Sequence, residues 1–373
     1  MDSEASVMIH CARGLQEHQV QVEISTRFNR RNVLEIDKHI EAVWNDRVTK
    51  EPWLFNGAKF RFHSAHLLTT VHDTSSNCSD EPTNSIQNCS KKLENHLLQK
   101  SITADHGEGD RTFVPKNQIS RDTKGNCCRE TTKEAQHDAN SSSVINTPKQ
   151  DQAILRLQLG LTCYKDFLGT NWSREAVNLQ QRGKQELGDS QALLAQPLGV
   201  GAVLLTSDGQ VVMLRRSQKV AEAAELLDIP GGHPEPKAVC QGVSEETISV
   251  ELMQGSERAV VKEIFSSVCA EIRDEVNVPL TFLSPPVLMG IALNHLSAGR
   301  PSAEFFIRCS LTMEEIKDFY WRGGPEANES TDIVFLSRTE MLKLNENSPM
   351  WAELCPSAKG AVLLYQLVKP DHS

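Results

Sequence analysis

Apolar and polar positions follow the spacing of an α-helix between residues 260 and 278, which read VVKEIFSSVCAEIRDEVNV. At about 100° per residue, five apolar side chains form one stripe, which comprises Val261, Phe265, Val268, Ile272 and Val276. Four carboxylates fall on the flank beside that stripe, namely Glu263, Glu271, Asp274 and Glu275. The pattern therefore predicts an amphipathic helix with a buried stripe and an acidic flank.

Short apolar or alternating runs before and after this helix predict β-strands. They lie at residues 7–11, 20–24, 60–62, 153–161, 286–292, 303–309 and 332–336, with a hairpin at 199–216 that turns at Ser207-Asp208-Gly209. Helical patterns are found at residues 34–48, 173–183, 189–195, 312–320 and 356–368, and residues 162–172 are predicted to form a loop. Ser173 and Asp189 are candidate N-caps. We expect strand 153–161 to pair with residues 60–62, and strands covered by helices on both faces predict a mixed α/β sandwich.

Residues 73–150 differ in character from the rest of the chain. They contain one aromatic residue, Phe113, among long polar runs, and four cysteines (Cys78, Cys89, Cys127 and Cys128) whose spacing fits no zinc site. Such a segment buries too little apolar area to offset its chain entropy, which predicts a disordered insertion. The chain is thereby divided into an N-terminal α+β region (1–72 and 151–196), the insertion (73–150) and a C-terminal domain (197–373).

The composition of the chain argues against some classes of binding partner. The 373 residues carry a net charge of −10, and without a basic stripe this argues against a nucleic-acid partner. No apolar run approaches the ~20 residues of a membrane helix, and the acidic start does not resemble a secretory signal. We expect a small-molecule partner, no membrane partner, and a location in the cytoplasm or nucleus. The ten cysteines form no C-x-x-C pair and are expected to be reduced thiols.

The acidic flank of the helix is the main candidate for chemistry. Carboxylates three and four positions apart repel one another, and a divalent cation such as Mg²⁺, held by one or two carboxylates and by substrate phosphates, would cancel that repulsion. Upstream, Asp228–Glu235 contains Gly231 and Gly232, which permit close backbone approach. The alternative is an acidic helix face that only contacts water, and the nearby double glycine favours the metal site.

The double glycine, followed by Glu271-Ile272-x-Asp274-Glu275-x-x-Val278, resembles the signature of the Nudix hydrolases. The resemblance implies the Nudix α/β/α fold with a mixed sheet and a bound Mg²⁺, or Mn²⁺ in its place. Glu271, Asp274 and Glu275 match the metal-binding positions.

The chain also departs from that signature. Ala270 stands where the family has Arg, Asn277 stands where it has Gly, and Gly232 lies 39 positions before Glu271 (271 minus 232). In the family signature these two positions lie fifteen residues apart, so roughly 24 residues are inserted between loop and helix. Asn tolerates the left-handed conformation that the Gly position needs, whereas the loss of the Arg implies weakened chemistry or another way of orienting the acids.

Longer runs resemble the animal uridine diphosphate glucose diphosphatase branch of that family, namely Lys165–Trp172, Ile229–Pro236, Phe265–Val268, Ser297–Arg300, Gly323–Ala327 and Met350–Gly360. The resemblance implies Mg²⁺-dependent hydrolysis of UDP-glucose or UDP-galactose to UMP and the sugar 1-phosphate. By matching positions, it implies that Phe55 and Tyr164 flank the uracil. It also implies a pocket lined by Arg216, Ala221, Asp228, His233, Glu235 and Ser357.

Each assignment has a structural alternative. Phe55 and Tyr164 are equally consistent with core packing, His233 with a hydrogen bond to the Gly-Gly turn, Asp228 with capping of backbone amides, and Ser357 with an N-cap. The general base is either Glu271 or Glu304, and Glu271 and Glu275 are the principal metal ligands.

Two other functions compete with the hydrolase. Ala270 and the lengthened motif are also consistent with a catalytically silent Nudix-fold module that binds UDP-sugars. An interaction scaffold built on residues 73–150 has no motif in its favour.

Overall fold

A mixed β-sheet forms the middle layer of the protein. The structure is a computed structural model that describes residues 3–69, 153–218 and 222–371. The strands are β1 (Ala5–Leu15), β2 (Val20–Ile24), β3 (Ala58–Thr69), β4 (Ala153–Cys163), β5 (Gly199–Leu205), β6 (Gln210–Arg216), β7 (Leu227–Asp228), β8 (Gly231–Gly232), β9 (Val287–Asn294), β10 (Arg300–Arg308) and β11 (Ser330–Ser337). The helices are α1 (Leu34–Lys50), α2 (Tyr164–Gly169), α3 (Ala176–Leu187), α4 (Pro236–Val239), α5 (Glu257–Val276), α6 (Met313–Trp321), α7 (Arg338–Lys343) and α8 (Pro356–Val368).

The large sheet has the order β1-β9-β10-β5-β6-β11, with β7 beside β6 and β8 beside β5. Strands β5 and β10 are parallel, whereas β9 is antiparallel to both β1 and β10 and β6 is antiparallel to β11. Strand β1 therefore joins the first region of the chain to the sheet of the C-terminal domain. The boundary at residues 196/197 stays a prediction.

Helices cover both faces of this sheet. On one face, α5 contacts β5 and β8, and all five residues of its predicted apolar stripe are buried in the larger core. On the other face, α8 contacts β1, β5, β9 and β10 and buries Ala358, Ala361, Val362 and Leu364 in a second core. The α/β sandwich with a mixed sheet and an N-terminal extension is confirmed.

A second sheet, with the order β2-β4-β3, packs through β2 against α5. Phe60 pairs with Leu161 and Phe62 with Leu159 in antiparallel register, which confirms the predicted pairing. The pairing continues to Thr69 and Ala153. The disordered insertion predicted for residues 73–150 lies outside the described residues.

Two local predictions were wrong. Residues 162–172 contain helix α2, and residues 189–195 form turns within the described chain. The Asp189 carboxylate accepts the Gln191 N–H at 2.8 Å, and buried Arg61 donates to the carbonyls of Gln191 and Leu194 at 2.7 and 3.0 Å. Because a distant side chain satisfies these carbonyls, the segment needs no helical hydrogen bonds.

The caps were predicted with mixed success. Glu175, and not Ser173, is the N-cap of α3, although the Ser173 hydroxyl accepts the Glu175 N–H at 3.0 Å. Asn277 ends α5 in the left-handed conformation with φ of 62°, and an Asn at this position replaces the usual glycine without a large penalty. Among the described residues, no helix combines the length and apolarity needed to span a membrane.

Candidate active site

The Gly-Gly loop, which forms β8 beside β5, meets helix α5. The Gly231 N–H donates to Glu275 at 2.9 Å, and the His233 N–H donates to Glu271. A Cβ atom on Gly232 would lie 2.1 Å from the Glu271 Oε1 atom. Glycine is therefore required here, because any side chain would displace this carboxylate.

Three carboxylates lie around this loop, of which Glu275 and Glu304 are buried and Glu271 is partly buried. Burial, with the nearby charge of Glu326, raises the pKa of Glu271 to about 7. Burial and the charge of Glu271 raise the pKa of Glu275 well above its usual range. Glu304 is fully buried on β10, and burial raises its pKa to about 8. The neighbouring Ser302 side chain partly offsets this rise in pKa, although within the described residues it does not meet close hydrogen-bond geometry with either Glu304 oxygen.

A cleft opens on the other side of the loop. A polar chamber of about 190 Å³ is lined by Asp228, Gly231, Gly232, Glu304 and Ser357, among others. An aromatic chamber of about 530 Å³ adjoins it and is lined by Tyr164, Phe167 and Trp172. Both chambers share the lining residues Arg216, Glu222, His233, Arg300 and Glu329, so the two form one continuous cleft.

Charged pairs hold the walls of the polar chamber. The Arg216 guanidinium lies 3.1 Å from the Asp228 carboxylate, to which the Ser357 hydroxyl donates at 3.0 Å. Cys355, and not Ser357, is the N-cap of α8, so the role of Ser357 lies with Asp228. Burial, together with Arg300 and Lys59, lowers the pKa of His233 well below its usual value. Its imidazole is neutral near pH 7.

The aromatic chamber contains a row of stacked rings. The ring centroids of Tyr164 and Phe167 are 6.4 Å apart, and those of Phe167 and Trp172 are 6.3 Å apart. Offset rings of this kind offer a flat surface to a heteroaromatic base. Phe55, by contrast, is 62% exposed and is absent from the described lining of both chambers.

The remaining predicted residues lie at the margin. Glu235 pairs with Lys59 at 3.0 Å and is half exposed. Asp274 pairs with Arg273 at 2.5 Å and is absent from the described chamber walls. Ala221 lies outside the described residues.

The carboxylates suit a hard cation. As placed, no three Asp, Glu, His or Cys side chains within the described ranges are grouped to hold a metal ion. Glu271 and Glu275 nevertheless raise the free energy of each other's ionised form, and an oxygen-binding cation would relieve this. The Gly232 backbone leaves room for the Glu271 oxygen where a Cβ would fill it. The donor set therefore fits a divalent metal such as Mg²⁺ or Mn²⁺.

Sequence reasoning missed three residues of the cleft, namely Glu222, Arg300 and Glu329. Arg300 and Glu222 form an ion pair of 2.9 Å over 78 residues of sequence. The one available signal for Arg300 was its place at the end of the Ser297–Arg300 run. Periodicity does not reveal a contact between such distant positions.

No protein-family profile matches the chain. It is 42% identical over 374 residues to the mouse "Uridine diphosphate glucose pyrophosphatase NUDT22", covering 100% of this chain and 94% of that protein. It is also 42% identical to the cattle protein of the same name, covering 99% of each. "Nudix hydrolase 9" of Arabidopsis thaliana is 32% identical over 52% of this chain and 61% of its own length.

Among solved structures, the MutT protein of Methanosarcina mazei Go1 overlays with a TM-score of 0.27 and 13% identity, over 47% of this chain and 94% of the other. That overlay is too distant to carry an argument. The mammalian relatives match across nearly their whole length. The chain therefore belongs to the Nudix hydrolase family, in the branch of these mammalian uridine diphosphate glucose pyrophosphatases.

Proposed function

We propose that the protein hydrolyses the diphosphate of UDP-glucose to UMP and glucose 1-phosphate, with Mg²⁺ as its metal. The names of its relatives support UDP-glucose as the substrate. The observation that carries the proposal is that Glu271 and Glu275 accept backbone N–H groups of the Gly-Gly loop. Gly231 and Gly232 line the polar chamber, although the two carboxylates are not part of its described lining.

The chambers match the two halves of such a substrate. A uracil base suits the stacked rings of Tyr164, Phe167 and Trp172, because base–aromatic stacking contributes about 1–3 kcal/mol per base. The diphosphate suits the polar chamber, where a planar guanidinium such as that of Arg216 binds phosphate in a bidentate manner. Asp228 and Ser357 hold that guanidinium in place. His233 and Glu235 complete the rim, and we retain Phe55 and Ala221 as proposed substrate contacts.

Glu271 and Glu275 would hold the metal, which would supply positive charge to the bridging diphosphate and to the attacking water. Asp274 remains a proposed additional ligand. Glu304 is the candidate general base, since it lines the polar chamber together with Gly231 and Gly232. The positive charge of a bound metal would favour the ionised form of this carboxyl group, which is the form that accepts a proton. Glu271 is the alternative base. UDP-galactose is a further proposed substrate, because it carries the same UDP group as UDP-glucose and differs from it only in the configuration at the sugar 4-position.

A UMP-release assay with purified protein, UDP-glucose and Mg²⁺ tests the proposal. We expect equal amounts of UMP and glucose 1-phosphate, loss of activity in EDTA, and recovery with Mg²⁺ or Mn²⁺. UDP-galactose is compared under the same conditions. If the protein binds UDP-glucose but releases no UMP with either Mg²⁺ or Mn²⁺, the hydrolase proposal is wrong and the protein is a silent binding module.

The location and the excluded partners are further proposals. We propose a cytoplasmic or nuclear location. We also propose that the protein has neither nucleic-acid nor membrane partners, because its net charge of −10 disfavours binding to phosphate backbones and anionic lipids. Imaging of the full chain and a binding assay with anionic vesicles test these points.

A further inference from the structure

Two arginine–carboxylate pairs lie side by side in the cleft. Arg216 pairs with Asp228 at 3.1 Å, and Arg300 pairs with Glu222 at 2.9 Å. The pairs are adjacent, because the Nε of Arg216 donates to the backbone carbonyl of Glu222 at 3.0 Å. Both arginines line both chambers. Two guanidinium groups therefore stand where the aromatic chamber meets the polar one.

The Arg300 guanidinium has more N–H donors than it has acceptor partners among the described residues. Its Nη2 donates to Glu222, and its Nη1 lies 3.2 Å from the Nε2 of His233. Its Nε is buried and has no acceptor within the described residues. Arginine carries five N–H donors in a planar fork, and a buried donor without an acceptor costs free energy. A ligand that supplies acceptor oxygens would complete this site.

Glu222 fixes the direction of Arg300. Its Oε1 accepts from the Asn294 amide at 3.2 Å and from the Ser297 hydroxyl, while its Oε2 faces Arg300. The carboxylate is thus held by three partners. The Arg300 Cζ lies 5.6 Å from the centroid of Phe167, over its ring, which places the guanidinium on the aromatic side of the junction.

Arg216 is paired with Asp228, which lines the polar chamber and is absent from the described lining of the aromatic one. Its carboxylate partner, Asp228, accepts from Ser357 and lies next to the loop that carries Gly231. A diphosphate presents two phosphate groups in succession, and each suits one planar guanidinium. The two arginines are therefore arranged to take one phosphate each, in the order set by the chambers.

We propose that Arg300 binds the phosphate that remains with the nucleoside, that Arg216 binds the phosphate that leaves with the sugar, and that Glu222 is the positioning residue for Arg300. This rests on the proposed function, in which the base occupies the aromatic chamber. The chemical group recognised at Arg300 is a nucleoside 5′-phosphate.

Calorimetric titration with UMP and with uridine isolates this contact, because the two ligands differ only by the phosphate. In the wild type we expect UMP to bind more tightly than uridine. In Arg300→Gln that preference falls at least tenfold while the uridine affinity stays within twofold. Arg300→Lys keeps the charge without the fork and gives an intermediate preference.

The neighbouring arginine provides a matched control. Arg215 lies on the same strand as Arg216 but pairs with Glu353 at 3.0 Å, away from the chambers. Arg215→Gln is expected to leave both affinities unchanged. Glu222→Gln lowers the UMP preference although Arg300 is present, and it raises KM for UDP-glucose more than it lowers kcat, as a positioning role requires. Thermal melts identify any variant that fails to fold.

The complementary ligand is glucose 1-phosphate. Its affinity should fall in Arg216→Gln and stay unchanged in Arg300→Gln. If the wild type hydrolyses UDP-glucose but folded Arg300→Gln keeps its full preference for UMP over uridine, the phosphate assignment is wrong and the hydrolase stands. If the wild type neither binds UMP nor hydrolyses UDP-glucose, the proposed function itself fails, and the assignment fails with it.

Discussion

The backbone N–H of Gly231 donates a 2.9 Å hydrogen bond to the carboxylate of Glu275, which lies 44 positions further along the chain. The bond forms although the segment between loop and helix is longer than in the usual motif. Helix α4 and two short 3₁₀ turns lie within that segment. The added residues thus lie between the two elements in sequence without separating them in space.

The first prediction concerns the proposed metal ligands. We expect Glu271→Gln and Glu275→Gln to lower kcat for UDP-glucose by about 10²-fold or more, since each removes a charge from a preorganised electrostatic site. Asp274→Asn should cost much less, because the Asp274 carboxylate is already paired with Arg273. An equal loss in all three variants would identify Asp274 as a direct ligand.

The second prediction concerns Gly232. A Cβ atom here would lie 2.1 Å from Glu271, so Gly232→Ala should move that carboxylate and lower kcat by about 10²-fold, as small displacements of catalytic groups do. The matched control is Gly57→Ala, whose Cβ would meet no atom closer than 3.4 Å. Unchanged kcat in Gly232→Ala would show that the position of Glu271 is not critical.

The sequence was sufficient to predict the helices and strands whose apolar residues recur at a regular spacing. The apolar stripe of α5 was predicted in full, because burial against the sheet selects a 3.6-residue repeat. The pairing of β3 with β4 was predicted, because both strands are apolar and flank one polar segment. The turns at residues 189–195 were not, because their backbone carbonyls depend on Arg61, more than a hundred positions away.

For the same reason, only part of the candidate site could be predicted from the sequence. Glu271, Glu275 and the double glycine lie in a local motif, which a single sequence displays. The Arg300–Glu222 pair depends on a contact that exists only after folding. Glu304 was named as a candidate base from its place in a predicted strand, but its complete burial on β10 is visible only in the folded protein.

The third prediction concerns Glu304 and pH. Its folded-state pKa of about 8 lies above the ordinary carboxyl value of 4.5, so the folded protein binds a proton that the unfolded chain releases between these values. The contribution of Glu304 to the free energy of unfolding of the metal-free protein therefore falls as the pH rises from 4.5 to 8. The Glu304→Gln variant lacks this titrating carboxyl group. The free energy of unfolding of the variant minus that of the wild type should therefore increase by about 2–3 kcal/mol between pH 5.5 and 8.

Urea unfolding in EDTA at a series of pH values measures this difference. Other carboxylates with raised pKa values, such as Glu271, titrate in both proteins and cancel in the comparison. If the two stability curves run parallel over this range, Glu304 has an ordinary pKa in the folded protein.

The fourth prediction concerns the base. Tyr164→Ala should raise KM for UDP-glucose about tenfold with little change in kcat, because a stacked base contributes about 1–3 kcal/mol. Phe55→Ala is expected to have a smaller effect, since Phe55 is 62% exposed. Trp53→Ala, at a neighbouring side chain that is 77% exposed, is the control. A larger effect at Phe55 than at Tyr164 would mean that Phe55 closes over the bound base.

The pairing of Thr69 with Ala153 bears on how this gene can change over evolutionary time. Thr69 and Ala153, which flank positions 70–152, are paired residues on the adjacent strands β3 and β4. The two ends of the intervening segment are therefore close together whatever its length. Lengthening such a loop adds closure entropy only as the logarithm of its length. Relatives can therefore gain, lose or splice out residues here while β3 and β4 keep their positions, and with them Lys59 on β3 and Tyr164 directly after β4, which line the cleft.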